Sequence, residues 1–302
     1  MKPGRSRRVR VNRVEEGAVR TPEDRVATEE PMEIRLEWRE GSGVERETPV
    51  AVTMRTPGDD FDLAAGFLLT EGVVSSAAAI GGVRYCAKVS PQEYNVVSVT
   101  LSDPGAFDPS SLARNFYITS SCGVCGKASL EAVQNLGCEN LDGIEFDLPA
   151  RVVSALPADL RASQPVFQAT GGIHAAAAFD ADGRILVSRE DVGRHNAVDK
   201  VVGALAMRGD IDLAEPNSST GLREGPNRRR PVLGIVVSGR ASFEIMQKAA
   251  MARMPAVVAV GAPSSLAVEF AREFGMTLAG FTTDRSFNTY SRPDRISLSE
   301  VT

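Results

Sequence analysis

Two of the four cysteines stand close together, in Thr119-Ser-Ser-Cys122-Gly-Val-Cys125-Gly-Lys127. The thiolate is the nucleophilic form of cysteine, and a helix starting after Cys125 together with Lys127 would favour it. A glycine after each cysteine lets the loop take unusual backbone angles and lets another surface come close. These features suit a sulfur nucleophile on a loop. A structural metal site is the other chemistry open to the pair, since zinc takes four Cys, His or carboxylate ligands. Cys86, Cys138, His174 and His195 complete the Cys and His content, and none stands in a second C-x-x-C or H-x-x-H pair. Thioredoxin-like exchange fits less well, because such a motif sits early in a strand–helix unit with bulky residues between the cysteines, whereas the spacers here are Gly123 and Val124.

A second set of residues suits a polar ligand. Val237-Ser-Gly-Arg240 and Gly261-Ala-Pro-Ser-Ser265 each close a predicted strand and open a predicted helix. Helix N-termini present unpaired N–H groups and a positive dipole end, which hold phosphate well. Ser238, Gly239, Arg240, Ser264 and Ser265, on two adjacent turns, would grip a diphosphate at the carboxyl ends of parallel strands. Ordinary N-capping explains the same serines and glycines. Glu190-Asp-Val-Gly-Arg-His-Asn196 is more distinctive. Asp191 can cap a helix beginning near 192, and Asp191, His195 and Asp199 share one helical face. Such a cluster suits ligand recognition; a solvated face with a satisfied histidine is the plainer alternative. His174 heads an apolar strand, where a histidine is more often part of the core.

The elements that must position these residues are legible in outline. Residues 34–38 and 44–54 alternate as strands around Gly41-Ser-Gly43. Thr56-Pro-Gly-Asp-Asp60 starts a helix that Gly72 can end. Strands are expected over 83–86, 96–101 and 116–119, and a short helix over 127–136. Residues 148–153 read as a crossing into a second half, with a helix over 157–168. A hairpin over 173–179 and 184–188 and a helix over 192–207 follow. Strands over 232–237, 256–260 and 276–281 then alternate with helices over 241–253 and 264–274, which implies a largely parallel sheet with helices on its faces.

The chain has 302 residues, a net charge of −5 and 43% hydrophobic content. That length allows two small domains or one large one. The balanced charge argues against a general nucleic-acid coat, and no apolar run approaches the ~20 residues a bilayer span needs. Four cysteines in this length do not make a disulfide scaffold, and the basic start has no apolar core after it. We therefore expect a cytoplasmic protein with no nucleic-acid or membrane partner. The expected organisation is a flexible tail over 1–30, a smaller strand-rich α+β domain over 31–120, a C-x-x-C loop and connecting helix over 121–150, and an α/β domain over 151–302 with a mobile insertion at 209–230.

In combination these motifs resemble the formate dehydrogenase accessory sulfurtransferases, the FdhD/NarQ family. The resemblance rests on Thr56-Pro-Gly-Asp-Asp60, Gly66-Phe67, Thr70-Glu-Gly72, Cys122-Gly-Val-Cys125-Gly126, Thr170-Gly-Gly-Ile-His174, Asp191-Val-Gly-Arg-His-Asn-Ala-Val-Asp-Lys200, Ser238-Gly-Arg240 and Ala262-Pro-Ser-Ser265, and spans about residues 32–290. It implies a homodimeric sulfur carrier whose second half has the cytidine deaminase fold, a three-layer α/β/α sandwich. It implies a cysteine desulfurase as sulfur donor and formate dehydrogenase as recipient. The sulfur would go to the bis-molybdopterin guanine dinucleotide form of the molybdenum cofactor, for which a guanine nucleotide can substitute. Cys122 would carry the persulfide and Cys125 would assist. The implied cofactor-binding residues are Phe281, Thr282, Thr283, Asp284, Arg285 and Ser286, with Arg194, His195 and Asn196 beside the two turns. The stretch 281–286 departs from the family, which often has arginine and glycine there; Arg285 supplies charge from a shifted position. A cofactor-binding chaperone with a metal-holding C-x-x-C is the alternative. A zinc deaminase ranks far below both: His174 is followed by Ala175-Ala176, so the proton-shuttling Glu is absent, and the C-x-x-C comes earlier in the chain.

Overall fold

The structure, a computed structural model, describes residues 3–87, 91–103, 138–211 and 231–298. Its first residues correct the expectation of a loose tail over 1–30. Strand β1 (Ser6–Arg10) pairs antiparallel with β4 (Glu23–Ala27), and β2 (Arg13–Glu15) with β3 (Ala18–Arg20). Glu16 and Gly17, both at positive φ, make the tight turn that β2 and β3 need. The ribbon is largely wet on both faces, so it lacks the apolar periodicity that betrays a strand with one buried side. Arg5 ties it to Asp59.

Strands β5 (Glu30–Arg39) and β6 (Glu45–Arg55) form a long hairpin. Helix α1 (Asp60–Thr70) follows, then β7 (Ile80–Tyr85) and β8 (Val96–Leu101), giving a sheet in the order β6-β5-β8-β7. Met32, Ile34 and Leu36 alternate inward from β5 and pack with Leu63, Leu68 and Leu69 of α1. Asp60 opens α1 and is itself buried, accepting from Arg55 at 3.1 Å and from Tyr85 at 2.9 Å. The strand expected over 116–119, the helix over 127–136 and both residues of the C-x-x-C lie outside the described residues.

The second half begins with β9 (Leu148–Pro149) and α2 (Ala150–Ala162). The helix expected at 157–168 therefore starts earlier and breaks sooner. Pro157 resembles a helix start but sits inside α2. The intrahelical bond lost there is outweighed by burial of Val152, Val153, Leu156 and Leu160. Pro165 instead opens the short α3 (Pro165–Thr170), where its missing N–H costs nothing.

Then come β10 (His174–Phe179), β11 (Ile185–Asp191), α4 (Arg194–Arg208), β12 (Gly234–Val237), α5 (Phe243–Met251), β13 (Ala256–Ala259), α6 (Ser265–Glu273), β14 (Thr277–Gly280) and β15 (Asn288–Ser291). A last strand, β16 (Ile296–Ser297), pairs with β9. The main sheet runs β11-β10-β12-β13-β14-β15, with β12, β13 and β14 parallel. Alternate residues of its strands face opposite ways. Ala175, Ala177, Phe179 and Val236 meet α2. Ala176, Ala178, Ile235 and Val257 meet α4, α5 and α6. The result is a mixed α/β architecture with helices on both faces of the sheet. Helix α4 ends at Gly209, in the left-handed region that glycine adopts easily. Of the insertion expected at 209–230, residues 212–230 lie outside the described residues.

The two halves meet where α1 crosses α4. Gly66 and Gly203 let the backbones touch: a Cβ on Gly66 would stand 1.8 Å from the Asp199 carbonyl oxygen, and one on Gly203 1.9 Å from that of Asp62. No other residue type permits this approach.

Candidate functional site

The parallel strands β12, β13 and β14 all end at one edge of the main sheet, where β10 begins and β11 ends. Three turns lie side by side there, hydrogen-bonded in a row. Gly261 donates its N–H to Gly239 O at 2.9 Å, Phe281 to Gly261 O at 3.0 Å, and Thr282 to Ala259 O at 3.2 Å. Gly261 must be small, since a Cβ would press on the Gly239 carbonyl and the Arg240 backbone at 3.0 and 3.1 Å. The structure thus brings together two of the turns singled out above and the stretch 281–286.

Each residue on this shelf has a definite state. Ser238 Oγ accepts from Ala175 N at 2.9 Å and keeps its own proton to donate. Gly239 faces the His174 ring; a Cβ there would lie 3.4 Å from Nδ1. Arg240 is exposed. Ser264 caps α6, accepting from Ala267 N at 3.2 Å, so capping does account for that serine. Ser265 is exposed in the first turn of the same helix. Phe281 sits at φ 52 and is exposed, while the Thr282 hydroxyl is buried without a partner. Thr283 Oγ1 accepts from Ser286 N at 3.0 Å and Arg285 N at 3.3 Å, closing the loop on itself. Asp284, Arg285 and Ser286 then face a groove of about 840 Å³ along α2, with Arg151 and Leu298 on its walls.

Arg194 and His195 start α4 beside the shelf. Burial and the neighbouring Arg194 charge pull His195 down to about 4, and the same two causes lower His174. Both imidazoles are therefore neutral near pH 7. His195 Nε2 lies 3.4 Å from Ser242 Oγ. Arg194 Nε is buried without a partner.

Asn196 corrects the sequence reading. Its amide donates to Met54 O at 2.8 Å and Asp191 Oδ1 at 3.0 Å and accepts from Thr53 Oγ1 at 3.1 Å. It holds the two halves together and leaves no atom for a ligand. Asp191 is likewise the end of β11 and not a cap on α4. It accepts from Thr56 N at 3.0 Å and pairs with Lys200 at 2.7 Å. Asp199 faces inward to Thr70 at 2.7 Å and Lys248 at 2.9 Å. Burial alone would discharge Lys248, but the carboxylates of Asp199 and Glu71 outweigh it and keep it protonated. Within 190–200, Asp191, Asn196, Asp199 and Lys200 are thus engaged in holding the fold, while Arg194 Nε is left without a partner.

The sequence reading missed one wall of the site. A cleft of about 620 Å³ runs between α2, α3 and the shelf, reaching Gly172, His174 and Ser238. Gln164 lines it, 2% exposed, with Nε2 unpartnered. The Arg161 guanidinium lies 3.9 Å from the centre of the Phe167 ring in the same wall. The sequence signal was the break at Ser163-Gln164-Pro165, which places a polar side chain between two helix ends. Glu190 does not reach the cleft as a free acid, because it accepts from Val166 N at 2.9 Å and Phe167 N at 2.7 Å. The polar side chains of the cleft are Arg161, Gln164, His174 and Ser238, set among apolar residues and glycines.

The two described cysteines are both buried. Burial, with the neighbouring Glu139 charge, pushes the Cys138 thiol up to about 12. Among the described residues no three metal-ligating side chains gather, and no helix is long and apolar enough to cross a membrane.

Comparison with known proteins gives a consistent answer. The model of the FdhD/NarQ family matches residues 27–297. A Streptomyces avermitilis protein named sulfur carrier protein FdhD is 47% identical over 296 residues, covering 96% of this chain and 95% of that one. The protein of that name from Mycobacterium tuberculosis is 44% identical over 95% of this chain and 97% of its own. Among solved structures, one described as a formate dehydrogenase accessory protein from Desulfotalea psychrophila superposes with a TM-score of 0.66. It covers 97% of this chain and 99% of its own at 22% identity, a likeness of fold. The family match over nine-tenths of the sequence, together with these relatives, places the chain: it belongs to the FdhD/NarQ family.

Proposed function

We propose that this protein is a cytoplasmic sulfur carrier for formate dehydrogenase maturation. The observation that carries the reading is its full-length identity to proteins named sulfur carriers. Cys122 takes the sulfur. Its thiolate attacks the terminal sulfur of a cysteine desulfurase persulfide, the donor's S–S bond breaks, the donor thiolate leaves, and a Cys122 persulfide forms without net redox change. Cys125 then attacks Cys122 Sγ, releasing hydrosulfide and leaving a Cys122–Cys125 disulfide that a cellular thiol reduces.

The substrate that receives the sulfur is the bis-molybdopterin guanine dinucleotide form of the molybdenum cofactor, and the strand-end shelf suits its nucleotide ends. Ser238, neutral His174, Gln164 Nε2 and Arg194 offer donors where diphosphate and base edges present acceptors, and the orphaned Gln164 and Arg194 atoms support that fit. Arg285 supplies charge on the groove side. Free guanine nucleotide would occupy the same place. The sheet with helices on both faces supports assignment of the second half to the cytidine deaminase type of sandwich, and we propose a homodimer as the working form.

Intact-mass spectrometry after incubation with a cysteine desulfurase and cysteine tests the reading. A gain of about 32 Da on wild type, absent in Cys122→Ala, is expected for one sulfur atom. No gain on reduced, metal-free protein would replace the carrier by a cofactor-binding chaperone.

A further inference from the structure

The N-terminal ribbon stands outside everything used so far. It precedes the family match, which begins at residue 27. From residue 5 to residue 27 it carries seven arginines against four acids, Glu15, Glu16, Glu23 and Asp24, a basic excess in a chain whose net charge is −5. Folding sets two pairs of like charges against each other, Arg8 opposite Arg25 across β1 and β4 and Arg13 opposite Arg20 across β2 and β3, while Arg10 stands opposite Glu23. Opposed like charges destabilise a ribbon. Arg8 and Arg13 find Glu23 and Glu15. Arg7, Arg10, Arg20 and Arg25 are exposed and have no ion-pair partner among the described residues. A chain that keeps four unpaired arginines on a small ribbon presents a surface made for anions.

The ribbon is also fixed in place. Thr28 N donates to Arg5 O at 2.9 Å, and the Arg5 side chain covers Gly58, where a Cβ would meet its Nε at 2.7 Å. Arg5 pairs with Asp59, and β4 packs against α3. Helix α3 is a wall of the cleft. The basic surface therefore has a set position beside the strand-end edge. Residues 138–141, which follow the cysteine segment, rejoin the fold at the other edge: Glu139 meets Arg253 at 3.0 Å, and Asn140 bonds Glu273 O at 2.7 Å.

We propose that the ribbon is the docking surface for the recipient protein, which meets it with an acidic patch. This rests on the function proposed above. On that reading the recipient approaches the edge proposed to hold its cofactor, and the ribbon is anchored beside that edge through Arg5 and α3. A protein fits better than a nucleic acid. Val14 and Val19 form a cross-strand pair 67% and 64% exposed between the Arg13–Arg20 pair and the turn, and apolar contacts interleaved with arginine belong to protein interfaces.

The test uses the full-length protein and the apoprotein of the formate dehydrogenase it serves. Arg7, Arg10, Arg20 and Arg25 are changed together to Glu, and separately to Gln. For wild type, association with the apoprotein should slow steeply with salt. The Glu variant should associate at least about tenfold more slowly, with a flattened salt dependence, and the Gln variant should fall between. Sulfur loading by the desulfurase should be unchanged in both, which also shows that they fold. Unchanged association would overturn the proposal, as would a loss of loading equal to the loss of docking, or binding of a 20-base-pair duplex that vanishes while docking persists. If wild type itself takes no sulfur, the functional reading fails; if it loads and docks but the variants dock equally well, only the ribbon proposal does.

Discussion

The joint between the halves and the strand-end shelf are neighbours built with similar residues, and they treat polar atoms in opposite ways. In the joint, Lys200 and Lys248 are buried, and each finds a carboxylate within 2.9 Å together with hydroxyl or carbonyl oxygens. At the shelf, Arg194 Nε, Gln164 Nε2 and the Thr282 hydroxyl are buried without partners. An unmet buried donor costs about 1–3 kcal/mol. Satisfied polar groups specify how two parts fit; the unsatisfied ones here are the atoms the proposed ligand would meet, while others, such as Ser98 Oγ and Thr277 Oγ1, lie elsewhere. The contrast runs through one stretch of chain. His195 lies between the two, near Ser242 after the turn at 238–240 and near the Lys248 and Glu71 charges, while Asn196, Asp199 and Lys200 on the same helix belong to the joint.

The largest effect should come from breaking the joint. Lys200→Met leaves Asp191 charged, buried and without a cation, and should cost about 3–5 kcal/mol in urea unfolding. Equal stability to wild type would mean that the pair is not buried as described. Gly66→Ala comes next. Its methyl cannot fit 1.8 Å from a backbone oxygen, so the helices must part, and a loss of about 3 kcal/mol is expected in thermal denaturation.

The shelf should respond the other way. Gln164→Leu removes an orphaned donor and should leave stability within about 0.5 kcal/mol of wild type or raise it. Calorimetry should nevertheless show binding of GDP weakened about tenfold, equivalent to one lost hydrogen bond of about 1.4 kcal/mol. A Leu variant that loses stability but not affinity would assign Gln164 to the joint's kind of chemistry.

The last test is a pH slope. The folded state holds His195 near 4, below its unfolded value of 6.5. Its contribution is therefore full above pH 6.5 and declines as pH falls toward 4, because the unfolded chain binds the proton first. His195→Gln should unfold with a shallower loss of stability across that window. Identical pH profiles would place His195 in ordinary solvent.

Much of this was legible. Strand–helix alternation after residue 232 follows from short apolar runs separated by Ser, Gly and Pro turns, and β12, α5, β13, α6 and β14 fall where that pattern puts them. The two turns at 238–240 and 261–265 were identifiable because strand-to-helix turns favour small and hydroxyl residues. The ribbon was not, because a strand wet on both faces has no apolar rhythm. Helix α2 was misplaced because Pro157 is a strong local signal that burial overrides. Asn196 was misassigned because adjacent helix residues point about 100° apart, and sequence does not say which direction holds a ligand and which a second domain.

Local chemistry is thus written in the sequence: the cysteine spacing, the turn residues, the order of elements and the family they mark. What each polar side chain meets is decided only in three dimensions. Lys248 lies 177 residues from Glu71 and 2.6 Å away, and the free energy of a buried charge depends on such partners, not on its neighbours in the chain.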